Sequence, residues 1–272
     1  ALHNGIASGT GKRLGPETGD PQNFKTFDDL YDAFKKQFEF MARRIMWHAR
    51  LADRLRIQFH RLPFESALAP GCLEKGMDAG EGGLPHYRFW MVKDRGIIPA
   101  ADSLLAVKKL VFDEQQLTMQ GLIDALDANF EGEDGQRIRQ TCLSIPKYGN
   151  DIDEADKMVR DVAKFTASVL SSEKNIYGWP FVINRNGQSW HYSAGKKMGA
   201  LPNGLKAKDI LPDGSLSPMQ GMDTHGPTAV LNSALKADFK ESMGAILTLE
   251  FSPSLIRKEP ERDKIADLTD TF

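Results

Sequence analysis

The chain has 272 residues, 41% hydrophobic and 26% charged, enough for one large domain or two small ones with a substantial core. Thirty-five Lys and Arg against 37 Asp and Glu leave a formal charge of −2, without the one-signed excess that nucleic acid or an anionic membrane attracts. No run approaches the roughly eighteen apolar residues of a membrane-spanning helix. The two cysteines, Cys72 and Cys142, cannot build a disulfide framework, so a reducing cytoplasm is the expected compartment.

The opening ALHNGIASGTGKRLG has neither an initiator Met nor a charged-then-apolar targeting stretch. The closing PSLIRKEPERDKIADLTDTF keeps helical spacing through Ile265, Leu268 and Phe272, with no stop signal after it. The expectation is a segment of a longer polypeptide, part of whose function lies outside it.

In chain order, residues 4–23 read as a Gly- and Pro-rich loop. Thr26, with Asp29 three residues on, predicts a capped helix carrying Leu30, Phe34, Phe38, Met41 and Ile45 on one face. The pattern continues through Leu51 and Leu55 until Pro63. Residues 63–87 hold five glycines and three prolines, a loop suited to close backbone approach. A helix over 97–111, capped by Asp102 or Ser103, follows. Thr118 to Phe130 is a further helix, and a short one ends before Pro146. Asp151 to Leu170 reads as a long amphipathic helix with Ile152, Ala155, Val159, Val162, Ala163, Thr166 and Leu170 on one side. WPFVINRNG at 179–187 reads as a strand, and about forty residues without periodicity come next, a length at which ordered loops are usually functional. A helix from Thr228 to Lys236 and a short strand at Ile246–Phe251 complete the pattern, which is that of an α/β protein.

Familiar motifs fail. GTGKR at 9–13 has Ile6 where a phosphate loop needs glycine and Arg13 where it needs Ser or Thr. Its third glycine, Gly15, is one place off a dinucleotide fingerprint. The six histidines show no paired ligand spacing, so no metal is expected. No Gly-x-Ser-x-Gly elbow occurs.

Two stretches carry candidate chemistry. GCLEKGMDAGEGG at 71–83 sets a thiol and a carboxylate two residues apart, and in an extended segment Cys72 and Glu74 face one cavity. The plainer alternative is a buried small thiol beside a solvated carboxylate. The second stretch is residues 195–233, dense in turn residues, Thr, Asn and Ser.

Together these segments resemble the glycyl radical enzyme family, the pyruvate formate-lyase-like group. GKKMGALPNG is similar to the family's Gly-x-x-Thr-Gly-Ala-x-Pro-Asp-Gly-Arg stretch, and LPDGSLSPMQGMDTHGPTAVLNS to its Leu-Ala-Asp-Gly-x-Ser-Pro stretch running on to Gly-Pro-Thr-Ala. IPAADSLLAVKKLVFDE, PKYGNDIDEAD and GCLEKGMDAGEGGLPHY resemble three more family segments, in the family's order and across nearly the whole chain. Leu205, Asn203 and Pro212 depart from the usual Arg, Asp and Ala, and TLEFSP resembles the family's Asn-Gln-Lys-Phe-x-Pro only weakly.

The resemblance implies part of a ten-stranded α/β barrel, helix-rich and spanning residues 1–272, incomplete at both ends. No cofactor is expected to bind directly. A radical-S-adenosylmethionine activating enzyme, with an iron–sulfur cluster, installs a radical on a C-terminal glycine, and that radical oxidises a cysteine at the barrel centre. The resulting thiyl takes hydrogen from a small organic-acid or aromatic substrate, which then loses a C–C or C–heteroatom bond. No Arg-Val-x-Gly-Tyr-like radical loop occurs before Phe272. The Gly-Cys-x-Glu match at 71–74 falls in the second glycine-rich loop, so the catalytic cysteine is expected upstream of Ala1 and the glycyl radical domain outside the chain.

Some family members, arylacetate decarboxylases among them, carry at the position of Glu74 an acid that contacts the polar end of the substrate, which makes Glu74 the candidate acid or base. Cys72, Trp179, Asn184 and His191, with Tyr192, are the candidate pocket residues. The implied activity is a cytoplasmic, anaerobic lyase, an arylacetate decarboxylase or a dehydratase, homodimeric at full length. A formate acetyltransferase and a non-catalytic barrel relative acting as a scaffold are the alternatives.

Overall fold

A computed structural model describes residues 1–7, 10–85, 91–187, 189–257 and 259–271. The first helix, α1 (Phe27–Phe59), begins where the sequence marks it. Thr26 Oγ1 accepts from the Asp29 amide at 3.3 Å, and Asp29 Oδ2 accepts from the Thr26 amide at 2.9 Å, a reciprocal cap. Its buried face departs from expectation. Leu30, Ala33, Ala42, Met46 and Ala49 point inward, whereas Met41 and Ile45 are exposed. Alanines allow the neighbouring helix to approach closely, and the larger side chains turn out.

Short helices α2 (Pro63–Leu68) and α3 (Cys72–Lys75) follow. The expected extended segment at Cys72–Glu74 is therefore a helical turn, which sends residues two apart to opposite sides. Strand β1 (Met91–Lys93) leads into α4 (Ile97–Val107), whose hydrogen bonding widens into a π-helical stretch at Lys108–Asp113. Asp102 and Ser103 are not caps but lie inside α4, where Ser103 Oγ donates to the Pro99 carbonyl at 2.6 Å.

Helices α5 (Met119–Asp127), capped by Thr118, α6 (Gly132–Ser144) and α7 (Asp153–Ser171) form the rest of a helical layer. Strand β2 (Val182–Asn184) pairs in parallel with β1, Val92 opposite Ile183. Parallel strands need a long crossover, and α4 through α7 supply it. Val92, Phe181 and Ile183 pack inward against Ala42, Met46, Ala167 and Leu170 of α1 and α7. The expected strand at Ile246–Phe251 is instead irregular chain: the residues just before it meet β2 and Arg185 through the Met243 amide to the Ile183 carbonyl at 2.9 Å and the Arg185–Ala245 bridge, while the Ile246 carbonyl accepts from the Ser215 and Leu216 amides.

Behind β2, Arg185 is 1% exposed. It pairs with Asp94 at 3.1 Å, donates to the Ala163 carbonyl at 2.8 Å and lies 4.4 Å from the Phe239 ring centre. That network ties the ends of both strands to α7. Burial raises the Asp94 carboxyl above its ordinary range, while Thr166 and Arg185 draw it back down. Helices α8 (Trp190–Gly195), α9 (Pro227–Lys236), α10 (Pro253–Ile256) and α11 (Glu259–Thr271) follow, and two single 3-10 turns lie at Pro21–Asn23 and Ala79–Glu81.

Candidate functional site

In parallel α/β architecture, ligands collect beyond the carboxyl ends of the strands. Here the chain leaves β2 at Asn184 and enters α8, and a cavity of about 1000 Å³ opens beside it. Its walls come from α8, the loop 210–213, the Gly- and Pro-rich loop 217–228, residues 248–252 and one side of α11. The loops can reach this position because two glycines meet. A Cβ on Gly187 would stand 2.7 Å from the Cα of Gly214, and Gly214 itself has φ +68°. Substitution at either position forces the wall apart.

The cavity mixes apolar surface (Tyr192, Leu211, Phe251, Ile265) with a few ionisable groups: His191, Asp213, Asp223, Glu250 and Lys264. His191 and Asp213 form its closest polar pair. The buried Nδ1 of His191 stands 3.1 Å from Asp213 Oδ1, an ion-pair distance whose angle completes no hydrogen bond. Asp213 is itself held, Oδ1 by the Gly214 amide at 2.8 Å and Oδ2 by the Thr248 hydroxyl at 3.2 Å. A fixed carboxylate this close to an imidazole makes the pair the cavity's candidate for proton transfer.

The remaining candidates lie elsewhere. Asn184 is at the right end of β2, but its amide is engaged locally, accepting from the Asn186 amide at 2.7 Å and leaning on Met91 Sδ at 3.3 Å. Trp179 is not on the strand. It closes a turn in which Asn175 Oδ1 accepts from the amides of Tyr177 and Trp179, three residues before β2, and it is 42% exposed. Cys72 is buried at the start of α3, whereas Glu74 is exposed. The loop around them is bound to α2, Asp78 Oδ2 accepting from the Leu62 amide and the Ser66 hydroxyl. No residue of 71–83 is in the cavity wall, so the two glycine-rich stretches do not share this chamber. Among the described residues no group of three His, Cys, Asp or Glu side chains is placed to hold a metal ion.

Of the sequence candidates His191 lies in this wall, with part of the turn-rich stretch 195–233; Asp213 beside it was not among them. The signal was present in the turn PDG at 212–214. Lys264 and Glu250 had no signal, because nothing in the sequence brings the last helix to α8.

A family model described as pyruvate formate lyase-like matches residues 1–191, and one described as glycine radical matches residues 213–272. The four glycines within 213–272 are Gly214, Gly221, Gly226 and Gly244, none of them in an Arg-Val-x-Gly-Tyr sequence. Trans-4-hydroxy-L-proline dehydratase of Clostridioides difficile is 33% identical, covering 100% of this chain and 34% of that protein. Isethionate sulfite-lyase of Oleidesulfovibrio alaskensis is 30% identical, covering 100% of this chain and 33% of its own length. The crystal structure of the hydroxyproline dehydratase of Clostridioides difficile with trans-4-hydroxy-L-proline bound superposes with a TM-score of 0.90 over 99% of this chain, 34% of that one. The chain thus spans about a third of the length of the relatives it matches.

Proposed function

The chain belongs to the pyruvate formate lyase-like family of glycyl radical enzymes, and from that premise we propose that it forms part of the reaction barrel of a lyase acting on a small polar organic molecule. Its two parallel strands and helical layer are a portion of the family's α/β barrel. One observation carries the reading: beyond the carboxyl end of β2, a Gly- and Pro-rich loop walls a chamber of about 1000 Å³ that holds His191 and Asp213 3.1 Å apart.

In this reading a cysteine thiyl abstracts hydrogen and a glycyl radical, installed by a radical-S-adenosylmethionine activating enzyme, stores the unpaired electron, as the match of residues 213–272 to the glycine radical model supports. The thiyl takes a hydrogen atom from a substrate C–H, forming S–H and a carbon radical. That radical expels a neighbouring group, and the product radical recovers hydrogen from the thiol. The present residues supply the chamber and the proton. His191, 3.1 Å from Asp213, is the group placed to pass a proton to the departing oxygen or sulfur and to recover it afterwards. Of the sequence candidates, His191 stands in the chamber wall.

The test is anaerobic turnover by the full-length, activated protein with trans-4-hydroxy-L-proline, isethionate and an arylacetate. At least one is expected to be consumed. His191→Ala and Asp213→Asn should lower kcat by about 10²-fold or more at unchanged glycyl radical content. Consumption of none of the three by the native protein, or full activity in both variants, contradicts the proposal.

A further inference from the structure

The loop 218–226 gives the cavity Pro218, Gln220, Gly221, Asp223 and Gly226, yet it contains neither helix nor strand. What fixes it lies seventy residues earlier in sequence. Asn150 is 5% exposed. Its Nδ2 donates to the Lys147 carbonyl at 3.1 Å and to the Met222 carbonyl at 2.8 Å. Its Oδ1 accepts from the Thr224 hydroxyl at 3.2 Å and the His225 amide at 3.1 Å. Both hydrogens and both lone pairs of one carboxamide are thus in use, three of the four bonds reaching the loop. The Asn150 carbonyl adds a fifth bond, accepting from His225 Nδ1 at 2.8 Å.

The backbone beside it is shaped for the same contact. Gly149 has φ +96°, and a Cβ there would stand 2.4 Å from Pro218 Cγ, so turn and loop touch with no side chain between them. The turn is anchored in its own right. The Tyr148 amide donates to Asp102 on α4 at 3.1 Å, and the Asp151 amide donates to Ser233 on α9 at 3.0 Å.

We propose that Asn150 is the positioning residue of the cavity wall, its carboxamide setting where the loop 218–226 stands toward the substrate. The inference rests on the reading of the cavity as the reaction chamber. Aspartate has nearly the same shape but puts an acceptor where Met222 and Lys147 already present carbonyl oxygens, so Asn150→Asp opposes the clamp without emptying the site. Thr224→Ala removes one of the four carboxamide bonds and is the milder variant.

The experiment compares the full-length native protein with Asn150→Asp and Thr224→Ala. Hydrogen–deuterium exchange is followed by mass spectrometry at one pH, and kinetics are measured after anaerobic activation. Peptides covering 219–228 should exchange roughly tenfold faster in Asn150→Asp and by a smaller factor in Thr224→Ala, with α4 and α7 at native rates. For whichever of the three compounds the native protein turns over, kcat/KM should fall about tenfold or more in Asn150→Asp, with KM raised and the glycyl spin count unchanged. Native exchange in 219–228, acceleration spread through α4 and α7, or a loosened loop with native kcat/KM each overturns the proposal. A native protein that forms no glycyl radical defeats the proposed function instead, and the exchange comparison then decides the clamp alone.

Discussion

Asp102 sits inside α4 at 1% exposure, its Oδ1 accepting from the Tyr148 amide while Oδ2 and the Tyr148 hydroxyl have no hydrogen-bond partner. Burial pushes its carboxyl up to about 7, opposed by the Tyr148 amide and Lys147 and reinforced by Asp156. Lys147 is itself lowered by burial, its ammonium donating to the Cys142 and Ile145 carbonyls at 2.7 Å. A carboxyl raised on folding favours the folded state below its ordinary value near 4, and that contribution is lost as pH climbs through about 7. Asp102→Asn keeps an acceptor for Tyr148 and removes the titration. It should raise the melting temperature relative to native at pH 8, by a stability gain of order 2–4 kcal/mol, and give no gain at pH 4. Thermal unfolding of both proteins across that range checks it, and equal pH profiles would refute it. Asp29, Asp78, Asp151 and Glu173 shift downward and impose the opposite slope at lower pH, which the native–variant difference cancels.

Helix α1 exposes an apolar ridge at four-residue spacing: Trp47, Leu51, Leu55 and Phe59 are 56%, 38%, 46% and 73% exposed. The sequence pattern was legible here, since Thr26 and Asp29 marked the start and Pro63 bounded the end. Which face goes inward was not, because Ala42, Met46 and Ala49 win the buried face through their fit against α7 and the strands. A ridge of this kind seeks cover. A polypeptide of residues 1–272 should enhance the fluorescence of anilinonaphthalene sulfonate and self-associate. Leu51→Ser, Leu55→Ser and Phe59→Ser together should abolish most of both effects, and dye binding unchanged by the triple variant would contradict this. The same limit of sequence reasoning explains other elements. Thr118 announced α5 correctly, because a cap is local. The glycines of 71–76 suggested extended chain, yet α3 forms there. The apolar run at Ile246–Phe251 forms no strand, because the residues that meet the end of β2 are Met243 to Ala245 and Ile246 turns to bond the Ser215 and Leu216 amides.

For the whole molecule, the family was readable from the order of several short motifs, and the α/β class from alternating helices and strands. The site was readable only in part. His191 and the loop 195–227 were visible, but Asp213, Glu250, Lys264 and the Asn150 clamp depend on contacts between segments up to about seventy residues apart, which periodicity and spacing do not encode. The central claim is that these residues wall a chamber for carbon-radical chemistry. Its most direct measurement is the electron paramagnetic resonance spectrum of the full-length protein after anaerobic activation by a radical-S-adenosylmethionine activating enzyme. The expected spectrum is a glycyl doublet that decays on exposure to air and persists in His191→Ala. A spectrum with no organic radical, from protein that is folded and paired with a competent activating enzyme, would contradict the account.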